Sequence, residues 1–217
     1  IDAVIDTVGP INGLTGGDTT SLTTNDTLDG NPVVIGNASG NVKMTTVLLP
    51  TGITVDLATG ILTVAPNTPA ADYSVEYTIC EVSNPTNCDS VTSTVVVSAP
   101  GIDAVIDTVG PINGTTGGTT TALTANDTLN GDPVAIGTQP GNVMLIGISV
   151  PQGFTLNTDG TVTIPPNTPA GSYEVEYQIC EVSNPTNCDS VTSSLTVTCN
   201  QGPEPAKVNC WDTFEYN

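Results

Sequence analysis

The sequence repeats itself. Residues 1–13 read IDAVIDTVGPING, and the same thirteen residues return at 102–114. Residues 79–93 read ICEVSNPTNCDSVTS and return at 179–193. The offsets are 101 and 100 residues, so a single deletion aligns two copies of one unit. A repeat of this length is the size of an independent domain and is too long for a solenoid unit.

The repeat predicts domain boundaries. We expect domains at residues 1–99 and 100–199, and we expect 200–217 to be a linker and the start of a further C-terminal unit. The boundary Ser98-Ala99-Pro100-Gly101 is short, so the two domains should be closely coupled rather than freely tethered.

Helix signals are nearly absent. Runs rich in Thr and Val are interrupted by Gly, Pro, Asn and Asp about every 8–12 positions. This pattern predicts an all-β fold made of two tandem immunoglobulin-like β-sandwich domains; an up-and-down barrel is the alternative. Predicted strands of the first unit are Ala3–Thr7, Thr19–Thr24, Pro32–Ile35, Val42–Leu48, Ile53–Asp56, Ile61–Val64, Tyr73–Cys80 and Ser90–Val97.

One predicted strand alternates cleanly. Tyr73, Val75, Tyr77 and Ile79 should face the core, with polar residues between them. Tyr73, like Tyr173 in the second unit, is placed as in a tyrosine corner.

The charge excludes several classes of function. The chain has two cationic residues against 22 carboxylates, and its net charge of −20 argues against partners such as nucleic acid or anionic membrane surfaces. It has no His, which excludes Ser-His-Asp and Cys-His catalysis. No carboxylate pair stands out for hydrolysis, so we do not expect an enzyme. No apolar run is long enough to insert into a membrane.

Cysteine positions predict disulfides. Cys80 and Cys88 lie on the outer face of one hairpin, and setting them opposite each other also sets Tyr77 against Val91. This predicts disulfides Cys80–Cys88 and, in the second unit, Cys180–Cys188. A third bond, Cys199–Cys210, is expected on weaker grounds, because either partner could pair elsewhere. Zinc is the alternative, but the spacing fits it poorly. Disulfides imply an extracellular location.

An acidic turn recurs in both units and is the one candidate cofactor site, for calcium. Its oxygen-rich side chains are of the type that calcium prefers, although an ordinary Asx-rich turn is the alternative. The candidate ligands are Asn25, Asp26 and Asp29 in the first unit and Asn126, Asp127 and Asp132 in the second.

The segment TANDTLNGDPV and, further on, TPAGSYEVEYQICEVSNPTNCD (residues 124–189, with a twin at 23–89) resemble tandem extracellular repeats of giant Bacteroidota surface proteins. The tail VNCWDTFEYN (208–217) resembles the stretch before the C-terminal secretion domain of gliding-motility adhesins of the SprB type. The resemblance implies type IX secretion and a cell-surface location.

In that family a tripeptide of Asp, then Ser or Thr, then an apolar residue or Thr resembles the O-glycosylation acceptor motif. The resemblance implies acceptors at Thr7, Thr19, Thr27, Ser90, Thr108, Thr128 and Ser190. Gly118 replaces the required Asp before Thr119, so the second copy of the Thr19 site is lost.

These observations favour a structural stalk segment of a secreted surface adhesin, involved in gliding motility or surface attachment. Its expected partners are neighbouring repeats of the same chain, surface polysaccharide and the gliding and type IX secretion machinery. The alternatives are a polysaccharide-binding module and an accessory domain of a secreted hydrolase. The scarcity of aromatic residues, 4% of the chain, argues against sugar binding.

Overall fold

A computed structural model of the chain describes residues 1–199, and within this range the regular structure consists of strands. The chain divides between Pro100 and Gly101 into two compact units, here called module 1 and module 2. No helix in the described range is long and apolar enough to cross a membrane.

Module 1 contains two sheets and a short hairpin. Its strands are β1 (Thr7–Asn12), β2 (Gly17–Ser21), β3 (Thr27–Leu28), β4 (Asn31–Pro32), β5 (Val42–Leu48), β6 (Ile53–Asp56), β7 (Ile61–Val64), β8 (Ala71–Glu81) and β9 (Cys88–Ser98). The larger sheet has the order β1-β9-β8-β5, and the smaller has the order β2-β7-β6. Strands β3 and β4 form the hairpin.

Module 2 repeats this plan. Its strands are β10 (Ile102–Asp103), β11 (Thr108–Asn113), β12 (Gly118–Thr119), β13 (Thr128–Leu129), β14 (Asp132–Pro133), β15 (Val143–Ser149), β16 (Thr155–Leu156), β17 (Val162–Ile164), β18 (Gly171–Glu181) and β19 (Cys188–Thr198). Its sheets have the orders β11-β19-β18-β15, β12-β17-β16 and β10-β13-β14.

The core of module 1 lies between its two sheets. Val75, Tyr77 and Ile79 of the larger sheet are fully buried, as are Leu62 and, almost fully, Val64 of the smaller sheet. Inward-facing residues therefore alternate with outward-facing ones, as the sequence predicted for β8. The arrangement is an all-β, immunoglobulin-like sandwich, and the barrel alternative is wrong because the sheets remain separate.

The predicted corner tyrosines form the expected hydrogen bonds. The Tyr73 hydroxyl donates to the Pro69 carbonyl at 2.8 Å, and Tyr173 donates to Pro169 at 2.8 Å. Each bond ties the start of a long strand to the turn before it.

The first predicted strand is misplaced. It was expected at Ala3–Thr7, but β1 begins at Thr7 and continues to Asn12. Backbone N–H groups before Thr7 bond mainly to side chains, so this stretch is extended without belonging to a ladder. Predicted strands 42–48, 53–56 and 61–64 coincide with β5, β6 and β7.

Candidate functional site

The stretch before each first long strand is held by side chains. We call residues 2–6 of module 1 and residues 103–107 of module 2 the leading segments. In module 1 three N–H groups donate to side chains from the β3 turn and from β9. These bonds run from Ala3 to Asp89 Oδ2 (2.8 Å), from Val4 to Asp26 Oδ1 (2.8 Å) and from Asp6 to Ser93 Oγ (2.9 Å).

Module 2 forms the same bonds with its own residues. They run from Ala104 to Asp189 Oδ2 (2.9 Å), from Val105 to Asp127 Oδ1 (2.8 Å) and from Asp107 to Ser193 Oγ (2.9 Å). Because both modules form all three bonds, side-chain anchoring of the leading segment is a property of the repeat.

A buried tyrosine lies beneath each leading segment. The Tyr77 hydroxyl oxygen is 3.1 Å from both carboxylate oxygens of Asp26 and 3.0 Å from the Leu22 carbonyl. Tyr77 and Asp26 are both fully buried. Tyr177 lies equally close to Asp127, at 3.1 Å, and to the Leu123 carbonyl, at 2.9 Å. Each buried carboxylate therefore has donors from a side chain and from the backbone, which offsets the cost of removing it from water.

Burial dominates the electrostatics of this cluster. Burial raises the pKa of Asp26, and the nearby charges of Asp2 and Asp89 raise it further, while bonds from Val4 and Tyr77 oppose the shift. The pKa of Asp6 is also raised, by burial and by the charge of Asp26. Burial and the same two carboxylates raise the pKa of Tyr77, so its hydroxyl keeps its proton. The cluster thus consists of the neutral Tyr77 hydroxyl and the carboxyl groups of Asp6 and Asp26, which bind protons more readily than usual.

The corresponding cluster of module 2 contains an unsatisfied atom. Burial raises the pKa of Asp107, which corresponds to Asp6. Among the buried side-chain nitrogen and oxygen atoms of residues 1–199, its Oδ2 is the one without a hydrogen-bond partner. A proton on this carboxyl would be favoured for the same reason as on Asp6.

The first long strand of each module runs parallel to the last. In module 1, β1 pairs with β9 through Thr7 opposite Thr94 and Val8 opposite Val95. In module 2, β11 pairs with β19 in the same direction. The backbone of each leading segment continues this contact, since the Thr94 N–H donates to the Asp6 carbonyl at 2.9 Å.

Two predicted disulfides are present. Cys80–Cys88 and Cys180–Cys188 each join directly opposed residues of a hairpin, with a Cα separation of 4.1 Å. Because these sulfurs are bonded to each other, they are not zinc ligands. The disulfides indicate an extracellular or secreted protein. The third predicted bond, Cys199–Cys210, involves Cys210, which lies outside the described residues.

The calcium candidates are not gathered into one site. Asp26 and Asp127 are buried and accept bonds from protein donors, whereas Asn25, Asp29, Asn126 and Asp132 are exposed. Asp29 has a φ of 53° at the tip of the β3–β4 hairpin. Residues 1–199 contain no group of three or more His, Cys, Asp or Glu side chains arranged to hold a metal. This geometry favours the alternative, an Asx-rich turn.

The proposed glycosylation acceptors all have some access to solvent. Thr7, Ser90, Thr108 and Ser190 are exposed, and Thr19, Thr27 and Thr128 are half-buried. The aspartates before Thr27 and Thr128 are the buried Asp26 and Asp127, so those two motifs are only partly accessible in the folded protein. Glycosylation at these residues stays a prediction.

The sequence did not reveal the anchoring role of the aspartates. Asp26 and Val4 are 22 residues apart, and Asp89 and Ala3 are 86 residues apart. One feature of the sequence could have indicated this role: Asp26 and Asp89 both lie in stretches that are repeated almost unchanged in module 2.

Comparison with known proteins does not assign this chain to a family. No protein-family model matches the sequence, and no curated protein matches it. Similar solved structures include human protocadherin-24 EC1-2, at 15% identity over 75% of this chain and 90% of that chain with a TM-score of 0.34. Drosophila N-cadherin EC1-3 matches at 14% identity over 92% of this chain and 66% of that chain, with a TM-score of 0.34.

An endo-fucoidan hydrolase from glycoside hydrolase family 107 matches at 14% identity over 74% of this chain, with a TM-score of 0.32. This chain spans about a quarter of the hydrolase, 24% of its length. At these identities and TM-scores the similarities carry no information on function.

Proposed function

We propose that this chain is a stalk segment of a secreted cell-surface adhesin, and that it carries mechanical load rather than a reaction. The observation that carries the proposal is the parallel pairing of the first and last long strands in each module. The narrower assignment, to gliding motility or surface attachment after type IX secretion, rests on the sequence resemblance of the repeats and the tail.

Parallel pairing of these strands determines how tension acts. Force transmitted along the chain enters a module at its leading segment and leaves after its last strand. Because β1 and β9 are adjacent and parallel, tension pulls them past each other along their length. The hydrogen bonds between them are then loaded together, whereas strands pulled apart from one end would lose them one at a time.

The leading segment adds to this resistance. Its bonds to Asp26, Asp89 and Ser93 connect the point where force enters to the β3 turn and to β9. The same three attachments recur in module 2. Load is thereby spread over two parts of each sandwich before it reaches the core.

The remaining features suit an extended surface structure. Each hairpin disulfide closes the β8–β9 or β18–β19 connection covalently. The net charge of −20 favours solubility in water. The absence of His from the sequence is consistent with a stalk, since such a segment needs no general base.

Single-molecule force spectroscopy tests the proposal. The chain is pulled from its two ends, and we expect one unfolding event per module at a force well above that of a module whose terminal strands are peeled apart. The variant Ser93→Ala removes one attachment of the leading segment in module 1, so we expect one of the two events to weaken. Module 2, with Ser193 intact, is the internal control. Unfolding at forces indistinguishable from peeling, or unaffected by Ser93→Ala, would contradict a load-bearing role.

Cell-surface location is tested separately. In the native host, antibodies against residues 1–199 should label intact cells, and protease added outside should remove the labelled protein. Labelling only after the cells are opened would refute the adhesin assignment without affecting the mechanical result.

A further inference from the structure

We propose that module 2 associates with a second copy of the chain through the open edge of β15, forming a two-fold antiparallel strand pair. This proposal does not depend on the stalk function. It rests on the pattern of β15, which differs from the equivalent strand β5 of module 1.

Strand β15 has one free side. It pairs with β18 on one side. On the other side, within the described part of the chain, only its first residue, Val143, forms backbone hydrogen bonds. The Val143 N–H donates to the Ala135 carbonyl at 2.9 Å, and the Gly137 N–H donates to the Val143 carbonyl at 3.0 Å. Because backbone groups alternate in direction along an antiparallel strand, Leu145 and Gly147 also direct their N–H and C=O groups to this side.

The outer face of β15 is apolar. Met144, Ile146 and Ile148 are 36%, 43% and 50% exposed, and they follow one another at every second position. One of the devices by which natural edge strands discourage pairing with another chain is a charged side chain, especially Lys. Strand β5 of module 1 has Lys43 and Thr45 at the positions of Met144 and Ile146. Module 2 therefore lacks the lysine that module 1 carries at this edge, although both strands have a register irregularity further along.

The inner face of β15 borders a groove. The groove has a volume of about 330 Å³ and is lined by Leu145, Gly147, Val150, Phe154 and Leu156, among others. A Cβ atom at Gly147 would lie 3.3 Å from Val150 and 3.4 Å from Leu156, so the glycine leaves the groove open at the strand. Module 1 has Thr46 at this position.

These features fit a second β15 strand in one register. With the two-fold axis at Ile146, Ile146 faces the partner's Ile146. Residues 135–137 lie beside Val143, so the pairing is confined to the middle of the strand. Leu145 faces the partner's Gly147, and each such pair exchanges both of its backbone hydrogen bonds. The side chain of Leu145 is then placed over the partner's glycine, beside the groove. A two-fold interface must be self-complementary in this way.

No charge on strand β15 itself opposes a second copy. Strand β15 contains no charged residue, although the whole chain carries −20. Pairing two β15 strands therefore brings no like charges into contact. The remaining repulsion between the copies is long-range and screened by salt. A single strand pair is a small interface, so we expect weak association, with a dissociation constant on the order of 100 μM.

Cysteine cross-linking tests the register on the full chain. In a non-hydrogen-bonded antiparallel pair the Cα atoms are about 4.5 Å apart, within disulfide range. The variant Ile146→Cys should therefore form a disulfide-linked dimer under mild oxidation. In the same register the two copies of residue 148 lie about 14 Å apart, so Ile148→Cys should not cross-link. Thr45→Cys, the matching position in module 1, is the second control. No cross-linking by Ile146→Cys, or equal cross-linking by all three variants, would overturn the proposal.

Sedimentation equilibrium tests the association without cross-linking. We expect the wild-type chain to dimerise increasingly from about 10 μM to about 1 mM, and more strongly at high salt. The double variant Met144→Lys, Ile146→Thr carries the residues of module 1, and we expect at least a tenfold loss of affinity with an unchanged melting temperature. A wild-type chain that stays monomeric, or a dimer unaffected by the double variant, would refute the assignment of this edge.

Discussion

At the scale of single residues, the unusual feature is a carboxylate inside a small sandwich. Asp26 is fully buried, yet it accepts hydrogen bonds from Tyr77 and from the Val4 N–H. An unpaired buried carboxylate would be strongly destabilising, so the aspartate and its donors stabilise the fold only as a set. Asp127 repeats this arrangement in module 2.

The variant Asp26→Ala should destabilise module 1 by about 2–4 kcal/mol, because it leaves the Val4 N–H without its acceptor and opens a cavity beside Tyr77. Calorimetry should show a lower melting temperature for the transition of module 1, with the transition of module 2 as the internal reference. Asp72→Ala, at an exposed position of β8, should change the unfolding free energy by less than about 0.5 kcal/mol. Equal effects of the two variants would contradict the role assigned to Asp26.

The raised pKa values of Asp6, Asp26, Asp107 and Asp127 predict stabilisation by mild acid. The folded protein binds these protons more tightly than the unfolded chain, so the free energy of unfolding rises as the pH falls from 7 toward the unfolded pKa of 3.8. The lowered pKa values of Glu81 and Asp159 act in the opposite direction, at lower pH.

We therefore expect the melting temperature to reach its maximum between about pH 4 and pH 6. The double variant Asp26→Asn, Asp127→Asn should flatten this dependence, because it removes two of the four carboxylates that take up the protons. A melting temperature that falls steadily from pH 7 to pH 5 would show that burial does not control their ionisation.

At the scale of strands and hairpins, the long β8–β9 hairpin connects the disulfide of module 1 to the leading segment. The β8–β9 hairpin extends over 11 residues in each strand and carries the disulfide at its loop end. The leading segment bonds to Asp89, the residue after Cys88. The disulfide therefore lies next to one of the attachments of the leading segment.

Replacing both Cys80 and Cys88 with Ala should cost module 1 about 2.5 kcal/mol, since the bond closes a short loop of the unfolded chain. The matched variant at Cys180 and Cys188 should lower the unfolding free energy of module 2 by a similar amount. The measurement is the free energy of unfolding in urea, with each module followed through its own transition. An unchanged unfolding free energy in both variants would mean that the hairpins hold their register without the bonds.

At the scale of the whole molecule, the excess of negative charge opposes compaction. The net charge is −20, and only two residues are cationic. The folded chain holds these charges closer together than the unfolded chain does, and salt screens their repulsion over a Debye length of about 8 Å at physiological ionic strength.

Raising sodium chloride from about 10 mM to about 500 mM should therefore raise the melting temperature of both modules. Lys43→Glu, at an exposed position, should increase the salt dependence, because it adds to the repulsion. A melting temperature independent of salt in both proteins would indicate that the surface charges are too far apart to interact.

Calcium should act only through ionic strength. The oxygens of Asp26 and Asp127 already accept hydrogen bonds from the protein, and the other calcium candidates are exposed to solvent. Calcium chloride and magnesium chloride at equal ionic strength should therefore raise the melting temperature equally, and chelator should have no effect. A larger shift with calcium would establish a specific site and contradict the interpretation of this turn as structural.

The features that could be predicted from the sequence depend on local spacing. The opposition of Cys80 to Cys88 follows from strict alternation along β8 and β9, and the structure has that register. The Tyr73 corner depends on residues four positions apart and was predicted for the same reason. The start of β1 was misplaced because apolar residues in 1–5 suggest a strand, although their N–H groups bond to side chains distant in sequence.

The amino-acid sequence was enough to predict tandem all-β modules with two hairpin disulfides, because repeats and period-two alternation are local patterns. Three features became visible only in the folded chain: β1 runs parallel to β9, Asp26 is an internal anchor, and β15 is an open apolar edge. These features depend on contacts between residues far apart in the chain. No local period encodes which strand will lie beside another, or which side of it will stay open.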